Sequence, residues 1–213
     1  MTDEGRYESA GGEAKRIVLV GDSIRMGYAP EVILLLGGQE VFSHPINAGS
    51  TKEILAHFDE WIVNYRPDIV HINAGIHDVK RVPTITSDHV TLPAEYANNV
   101  RTILTRIRNE TGATIIWGTS TPVMNPQFNS SPAAAERGSY IFNDELVEYN
   151  KIALDVVEQL GGISVDELYS QVVRENTASI HDDTHIHYTL EFQKKQAVQV
   201  ADTIRSVLHR NDH

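Results

Sequence analysis

Ile17-Val18-Leu19-Val20-Gly21-Asp22-Ser23 is the stretch on which the reading of this chain turns. Four apolar residues, three of them β-branched, run straight into three turn formers. An apolar run with no polar alternation reads as a strand buried on both faces, as in a parallel sheet. A serine where such a strand ends lies at the carboxyl edge of the sheet, where open α/β sheets bind ligands. The plainer reading makes Gly21-Asp22-Ser23 a simple turn, since all three residues favour turns.

Working outward, residues 15–20 form the first strand, and similar apolar runs at 41–44, 68–73, 113–119 and 163–165 read as four more. Helical segments fill the gaps. Pro30 suits a first helical turn, and Gly37-Gly38 stops the apolar run at 32–36. Ser50 or Thr51 caps a helix whose stripe is Ile54, Leu55, Phe58, Trp61, Ile62 and Tyr65, ended by Pro67. Pro93 opens another, with Tyr96, Val100, Ile103, Leu104 and Ile107 on one face. Asn143 or Asp144, Asp166 and Thr189 are candidate caps for the last three helices. Residues 79–92 and 125–140 read as long loops, the kind that line sites. Strand and helix alternate five times, which implies a parallel sheet covered by helices on both faces. The expected organisation is one domain, 15–213, behind a loose polar tail, 1–14.

Composition narrows the function. A net charge of -11 makes nucleic acid and anionic membrane surfaces poor partners. With no cysteine there is no disulfide, no thiolate nucleophile and no Cys-ligated zinc. No segment approaches the roughly 20 apolar residues of a membrane span. The polar first residues do not read as a signal peptide, so the compartment stays open with the cytoplasm favoured. Neither a Gly-x-Gly-x-x-Gly nor a P-loop is present.

The candidate strands deliver small polar groups at their carboxyl ends: Ser23 after the first, Gly49 after the second, Asn73, Gly75 and His77 after the third. Asp182, Asp183, His185 and His187 follow the fifth strand and its helix. A parallel sheet brings such ends together along one edge. A serine hydroxyl needs a histidine to take its proton and, usually, a carboxylate to orient that histidine. The oxyanion that forms needs donors aimed at it, and glycine lets a backbone N–H approach closely.

These blocks resemble the GDSL-type, or SGNH, hydrolases from about Lys15 to the C-terminus. Gly21-Asp22-Ser23 matches the nucleophile block, and Asn47-Ala48-Gly49 the block whose glycine donates an N–H to the oxyanion. Gly75-Ile76-His77-Asp78 stands where that family has Gly-x-Asn-Asp. Tyr149-Asn150 and the segment from His187 to Glu191 are also similar. The resemblance implies a flavodoxin-like three-layer α/β/α sandwich with a five-stranded parallel sheet. It further implies a serine esterase acting on a small-molecule ester through an acyl-enzyme, with Ser23, Asp183 and His187 catalytic. Gly49, with His77 or Asn73, would hold the oxyanion.

Two departures stand out. His77 replaces the family asparagine, and a neutral imidazole N–H can serve in its place. The family's Asp-x-x-His is split here between Asp182 with His185, which has the spacing, and Asp183 with His187, which has the better downstream context. Thr184 stands three residues before His187. The second pair is the expected one. A metal held by three of His181, Asp182, Asp183, His185 and His187 is the sharp alternative. Nucleophilic hydrolysis already accounts for that cluster, so no metal or cofactor is expected. The polar loops favour short acyl groups, as in carbohydrate deacetylation. A non-hydrolytic glycan- or ligand-binding protein of the same fold is the reading from another class.

Overall fold

The computed structural model describes residues 13–175 and 180–211. Most of the expected tail lies outside them. The strands are β1 (Arg16–Val20), β2 (Glu40–Ser43), β3 (Ile69–Ile72), β4 (Thr114–Gly118) and β5 (Ser164–Asp166). They form one parallel sheet in the order β2-β1-β3-β4-β5. Ile17 to Val20 are buried, as are all four residues of β3. Burial on both faces is why these strands lack alternation.

Helix α1 (Ser23–Leu35) packs against the C-terminal helix α9 (Leu190–Asn211), and α4 (Pro93–Thr111) against α7 (Asn143–Leu160). Sheet and helices make the three-layer sandwich. Strand order reverses between β1, which leads outward to β2, and β3, which starts the run to β5. At that switch the two following connections diverge and leave a crevice beyond the carboxyl ends. Ser23 and His77 follow the two strands that flank it.

Five local expectations need correcting. Neither Asn143 nor Asp144 caps α7, whose N-cap is Phe142. Pro30 does not open the first helix. The helix begins at Ser23, because the Asp22 side chain caps it by accepting from the Ile24 N–H at 2.9 Å, and Pro30 lies inside it. The helix expected over 51–65 is split into α2 (Thr51–Ala56), α3 (Phe58–Trp61) and a 3₁₀ turn at Val63–Tyr65. Ile54, Phe58, Trp61 and Ile62 are still buried, and nothing in the local sequence forces the break. The loop over 125–140 contains α5 (Asn125–Asn129) and α6 (Pro132–Arg137). Ser131 caps α6 and Pro132 starts it, a pairing of cap and first-turn proline that nucleates even short helices. Finally, Asp166 caps nothing. It ends β5, fully buried, and its carboxylate takes His71 Nε2 at 3.0 Å and the Gln199 amide at 2.7 Å. The helix that follows, α8, spans Leu168–Arg174.

The two long loops are pinned to each other. Arg81 and Tyr140 exchange backbone hydrogen bonds at 2.9 and 3.1 Å. Glu145 on α7 receives the guanidinium of Arg81 and the ring of His89. Both loops therefore rim the crevice as ordered walls.

Candidate active site

Ser23 is the first residue of α1, so its N–H has no acceptor within the helix and the positive end of the helix dipole lies beneath its hydroxyl. The hydroxyl is 2.8 Å from His187 Nε2. These two groups are 164 residues apart in sequence, and the fold brings them into hydrogen-bond contact at the carboxyl edge of the sheet.

His187 stands on a tight hairpin. Asp182 N–H bonds His187 O at 3.0 Å, and Thr189 N–H bonds Ile180 O at 2.8 Å. The turn closes with His185 N–H on Asp182 O and His185 itself in the left-handed region, φ 60°. The Asp182 side chain accepts from the Thr184 N–H at 2.9 Å, an Asx turn that swings Thr184 toward the ring of His187. Thr184 Oγ1 lies 3.0 Å from His187 Nδ1 and 2.5 Å from Asp182 Oδ1. It also accepts from the His187 N–H at 3.1 Å.

Proton counting assigns the tautomer. Thr184 has one hydroxyl proton, and the Asp182 carboxylate, which only accepts, takes it. Toward His187 the hydroxyl oxygen is then an acceptor, which requires a proton on Nδ1. Nε2 is left with its lone pair facing the Ser23 hydroxyl, the arrangement of a general base and its nucleophile.

The expected contact between Asp183 and His187 is not made. Asp183 is exposed, and among the described residues no carboxylate touches the ring of His187 directly. The Asx turn aims the Thr184 side chain at the ring of His187 and leaves Asp183 clear of it, both residues being exposed. Nor does His185 approach Ser23: His187 holds that place, and the His185 carbonyl accepts from Met124 N–H at 2.9 Å.

The expected oxyanion residues are placed unequally. His77 lines a cavity of about 170 Å³ together with Ser23 and His187. Burial, and then the neighbouring Lys80 charge, hold its pKa below the usual histidine value, so the ring is neutral. Lys80 Nζ is 3.2 Å from His77 Nδ1, and an ammonium can only donate. The ring proton therefore sits on Nε2. Gly49 is buried with φ 60°, and its N–H donates to Asn47 Oδ1 at 2.9 Å. Asn73 is buried beneath Gly21 instead of lining the cavity, because the register that sets Val20 beside Ile72 sets Gly21 beside Asn73. A Cβ on Gly21 would come within 2.1 Å of Asn73 Oδ1.

Sequence reading gave no role to several supporting groups. Arg25, buried in α1, donates to Gly21 O, Ser43 Oγ, His44 O and Ile46 O, and so ties the β2 loop to the end of β1. Burial lowers its pKa. Asp78 accepts from the Thr51 N–H and hydroxyl, which joins the Gly49 loop to the His77 loop. Burial pushes its carboxyl up to about 6 against the pull of those hydrogen bonds. Asn150, whose Tyr149-Asn150 pair the sequence singled out, clamps Ser120 N–H and O at 2.8 Å each. Of these, only Asp78 and Asn150 carried a motif signal.

Neither a protein-family model nor a curated protein sequence matches the chain. Solved structures do. A lipase/acylhydrolase from Enterococcus faecalis superposes with a TM-score of 0.69 at 21% identity, over 90% of this chain and 96% of that one. An acetylxylan esterase from Geobacillus stearothermophilus gives 0.67 at 18%, over 91% and 93%. A GDSL-like lipase from Bacteroides thetaiotaomicron gives 0.66 at 17%, over 95% and 93%. The chain has the GDSL-type hydrolase fold. In this GDSL-type fold a second cavity, about 240 Å³, lies on the other side of Ser23 and His187, lined by Met26, Gly27, Asp182 and Gln193 among others. Larger grooves of about 320 and 550 Å³ lie by Arg16 and Asp68 at the amino edge of the sheet, away from Ser23 and His187. Among the described residues no three His, Asp or Glu side chains are grouped to hold a metal, and no helix is long and apolar enough to cross a membrane.

Proposed function

We propose that the chain is a serine esterase of short acyl esters that works through an acyl-enzyme. The observation that carries this is the 2.8 Å contact between Ser23 Oγ and His187 Nε2 at the mouth of two cavities. Ser23 Oγ attacks the ester carbonyl carbon as its proton passes to His187 Nε2. The carbonyl π electrons move to oxygen. The Ser23 N–H, which has no acceptor in α1, and His77 Nε2–H are the donors for that oxyanion. His187 then gives its proton to the departing alkoxide, and the C–O bond breaks. A water repeats the sequence on the acyl-enzyme, regenerating Ser23 and releasing the acid. Thr184 and Asp182 replace the direct carboxylate of the family pattern: the hydroxyl holds Nδ1–H and passes the field of the carboxylate to the ring. Gly49 joins the oxyanion donors by exchanging its bond to Asn47 for one to the substrate.

Short acyl groups fit the small volume of the cavity, about 170 Å³, whose walls mix Asn47, His77, Lys80 and Ser139 with Phe128, Ala134 and Ile186. The acetylxylan esterases among the fold's solved examples point the same way. The test is p-nitrophenyl acetate hydrolysis by Ser23→Ala, expected to fall by about 10³-fold or more. Unchanged turnover by the purified variant removes Ser23 from the mechanism.

One observation favours a second reading, a non-hydrolytic binding protein. The Gly49 N–H is already bonded to Asn47, so one of the expected oxyanion donors is engaged in the ground state. A fluorophosphonate probe separates the two, since a binding protein leaves Ser23 unlabelled.

A further inference from the structure

We infer that the substrate alcohol carries a carboxylate, received by Lys80 and Arg137 in the cavity beside Ser23. This rests on the esterase reading above and names the class of ester it serves. Carboxylates outnumber Lys and Arg by 29 to 18 in this chain. Even so, the 170 Å³ cavity is lined by two cations and by no carboxylate. The acidic side chain in the neighbouring cavity, Asp182, is engaged with Thr184.

Lys80 is the more telling of the pair. It is largely withdrawn from solvent, and burial holds its pKa below the usual lysine value. Its contact is the neutral ring of His77, and no ion pair within 4 Å involves Lys80 or Arg137 among the described residues. Burying an ammonium beside a neutral acceptor is costly, and an incoming anion offsets that cost. Asp22 and Glu53 lend Lys80 some negative field. Neither lines the cavity: Asp22 caps Ile24 N–H from beneath, and Glu53 folds back on Ser50.

Arg137 ends α6 at the rim, exposed and on a long arm, able to close over a bound group. With an acetyl-sized acyl group, the charge can only be on the alcohol portion. An acetylated hydroxy acid or acidic sugar has that pattern. The Lys80 bond to His77 Nδ1 also means that an anion on Lys80 sits one residue contact from the proposed oxyanion donor.

The experiment compares kcat/KM for 4-acetoxybenzoate and its neutral analogue 4-acetoxybenzamide, with p-nitrophenyl acetate run in parallel. Wild type should prefer the carboxylate by about tenfold at low salt. Arg137→Gln should cut that ratio by about threefold or more, Lys80→Met should abolish it, and Arg137→Glu should invert it. Lys151→Gln, an exposed cation on α7 that lines neither cavity beside Ser23, controls for net charge and should leave the ratio as it is. If wild type cleaves p-nitrophenyl acetate but shows no preference, this inference falls and the esterase reading stands. A preference that survives both Arg137→Gln and Lys80→Met also overturns it. Failure to cleave any of the three esters, with no fluorophosphonate adduct, sinks both.

Discussion

Removing the Thr184 hydroxyl should slow the chemistry without weakening substrate binding. Thr184→Val keeps the shape of the side chain and deletes the oxygen that accepts His187 Nδ1–H. Legs of 3.0 and 2.5 Å place Asp182 Oδ1 within 5.5 Å of Nδ1. A unit charge at that distance from the imidazolium of the transition state is worth about 3 kcal/mol at an effective dielectric constant of 20. The exposure of Thr184 brings more water into the path, and doubling the dielectric constant halves the figure to about 1.5 kcal/mol. Thr184→Val leaves that charge in place but strips Nδ1–H of its acceptor, and a lost hydrogen bond to a charged group, worth about 1.5 to 3 kcal/mol, lowers kcat by about 10- to 150-fold. Asp182→Asn, which removes the charge but keeps an acceptor for Thr184, should fall in the same range. Asp183→Asn, a change to an exposed side chain that does not touch His187, should stay within about twofold. The assay is steady-state hydrolysis of p-nitrophenyl acetate, with kcat and KM separated and folding checked by circular dichroism. If Thr184→Val and Asp182→Asn retain kcat while Asp183→Asn loses it, the proposed relay is wrong.

Three further outcomes follow from the groups around the site. Asp78 is raised from 3.8 to about 6 by burial, so its contribution to stability is full below pH 3.8 and is lost as pH rises through 6. Asp78→Asn, neutral throughout, should gain about 2.5 kcal/mol on wild type between pH 4 and pH 7.5 in urea denaturation, and a pH-independent difference would contradict this. Arg25→Met leaves the carbonyls of Gly21, His44 and Ile46 without their donor and should cost about 3 to 5 kcal/mol in the same assay. A cost below about 1 kcal/mol would mean that water replaces the guanidinium. Gly21→Ala drives a methyl into Asn73 Oδ1 and should cost about 1 to 3 kcal/mol or more. Adding Asn73→Ala should return part of that loss, and simple additivity of the two changes would refute the clash.

The sheet was legible because its central strands are buried on both faces, which forces continuous apolar runs such as Ile17–Val20 and Ile69–Ile72. The meeting of Ser23 and His187 was legible because each sits in a short motif tied to an element boundary. The partner of His187 was not. Spacing suggested a carboxylate three or four residues upstream, but the choice is made by an Asx turn and a left-handed His185, which depend on hairpin closure. Arg25 was hidden because a lysine or arginine in a helix reads as surface charge unless the carbonyls converging on it are known. Asp166 read as a cap because Asp favours caps, while its true partner His71 lies 95 residues away on β3. The meeting of Lys80 and Arg137 at one cavity likewise depends on two loops zipped through Arg81 and Tyr140.

In the proposed mechanism the Ser23 hydroxyl is an activated nucleophile with His187 as its base. Peptide mapping by mass spectrometry after fluorophosphonate treatment tests it most directly. The expected result is a stoichiometric adduct on the peptide carrying Ser23, abolished by Ser23→Ala and slowed at least about 100-fold by His187→Ala. Absence of an adduct, or labelling of Ser23 that proceeds at the same rate without His187, would contradict it.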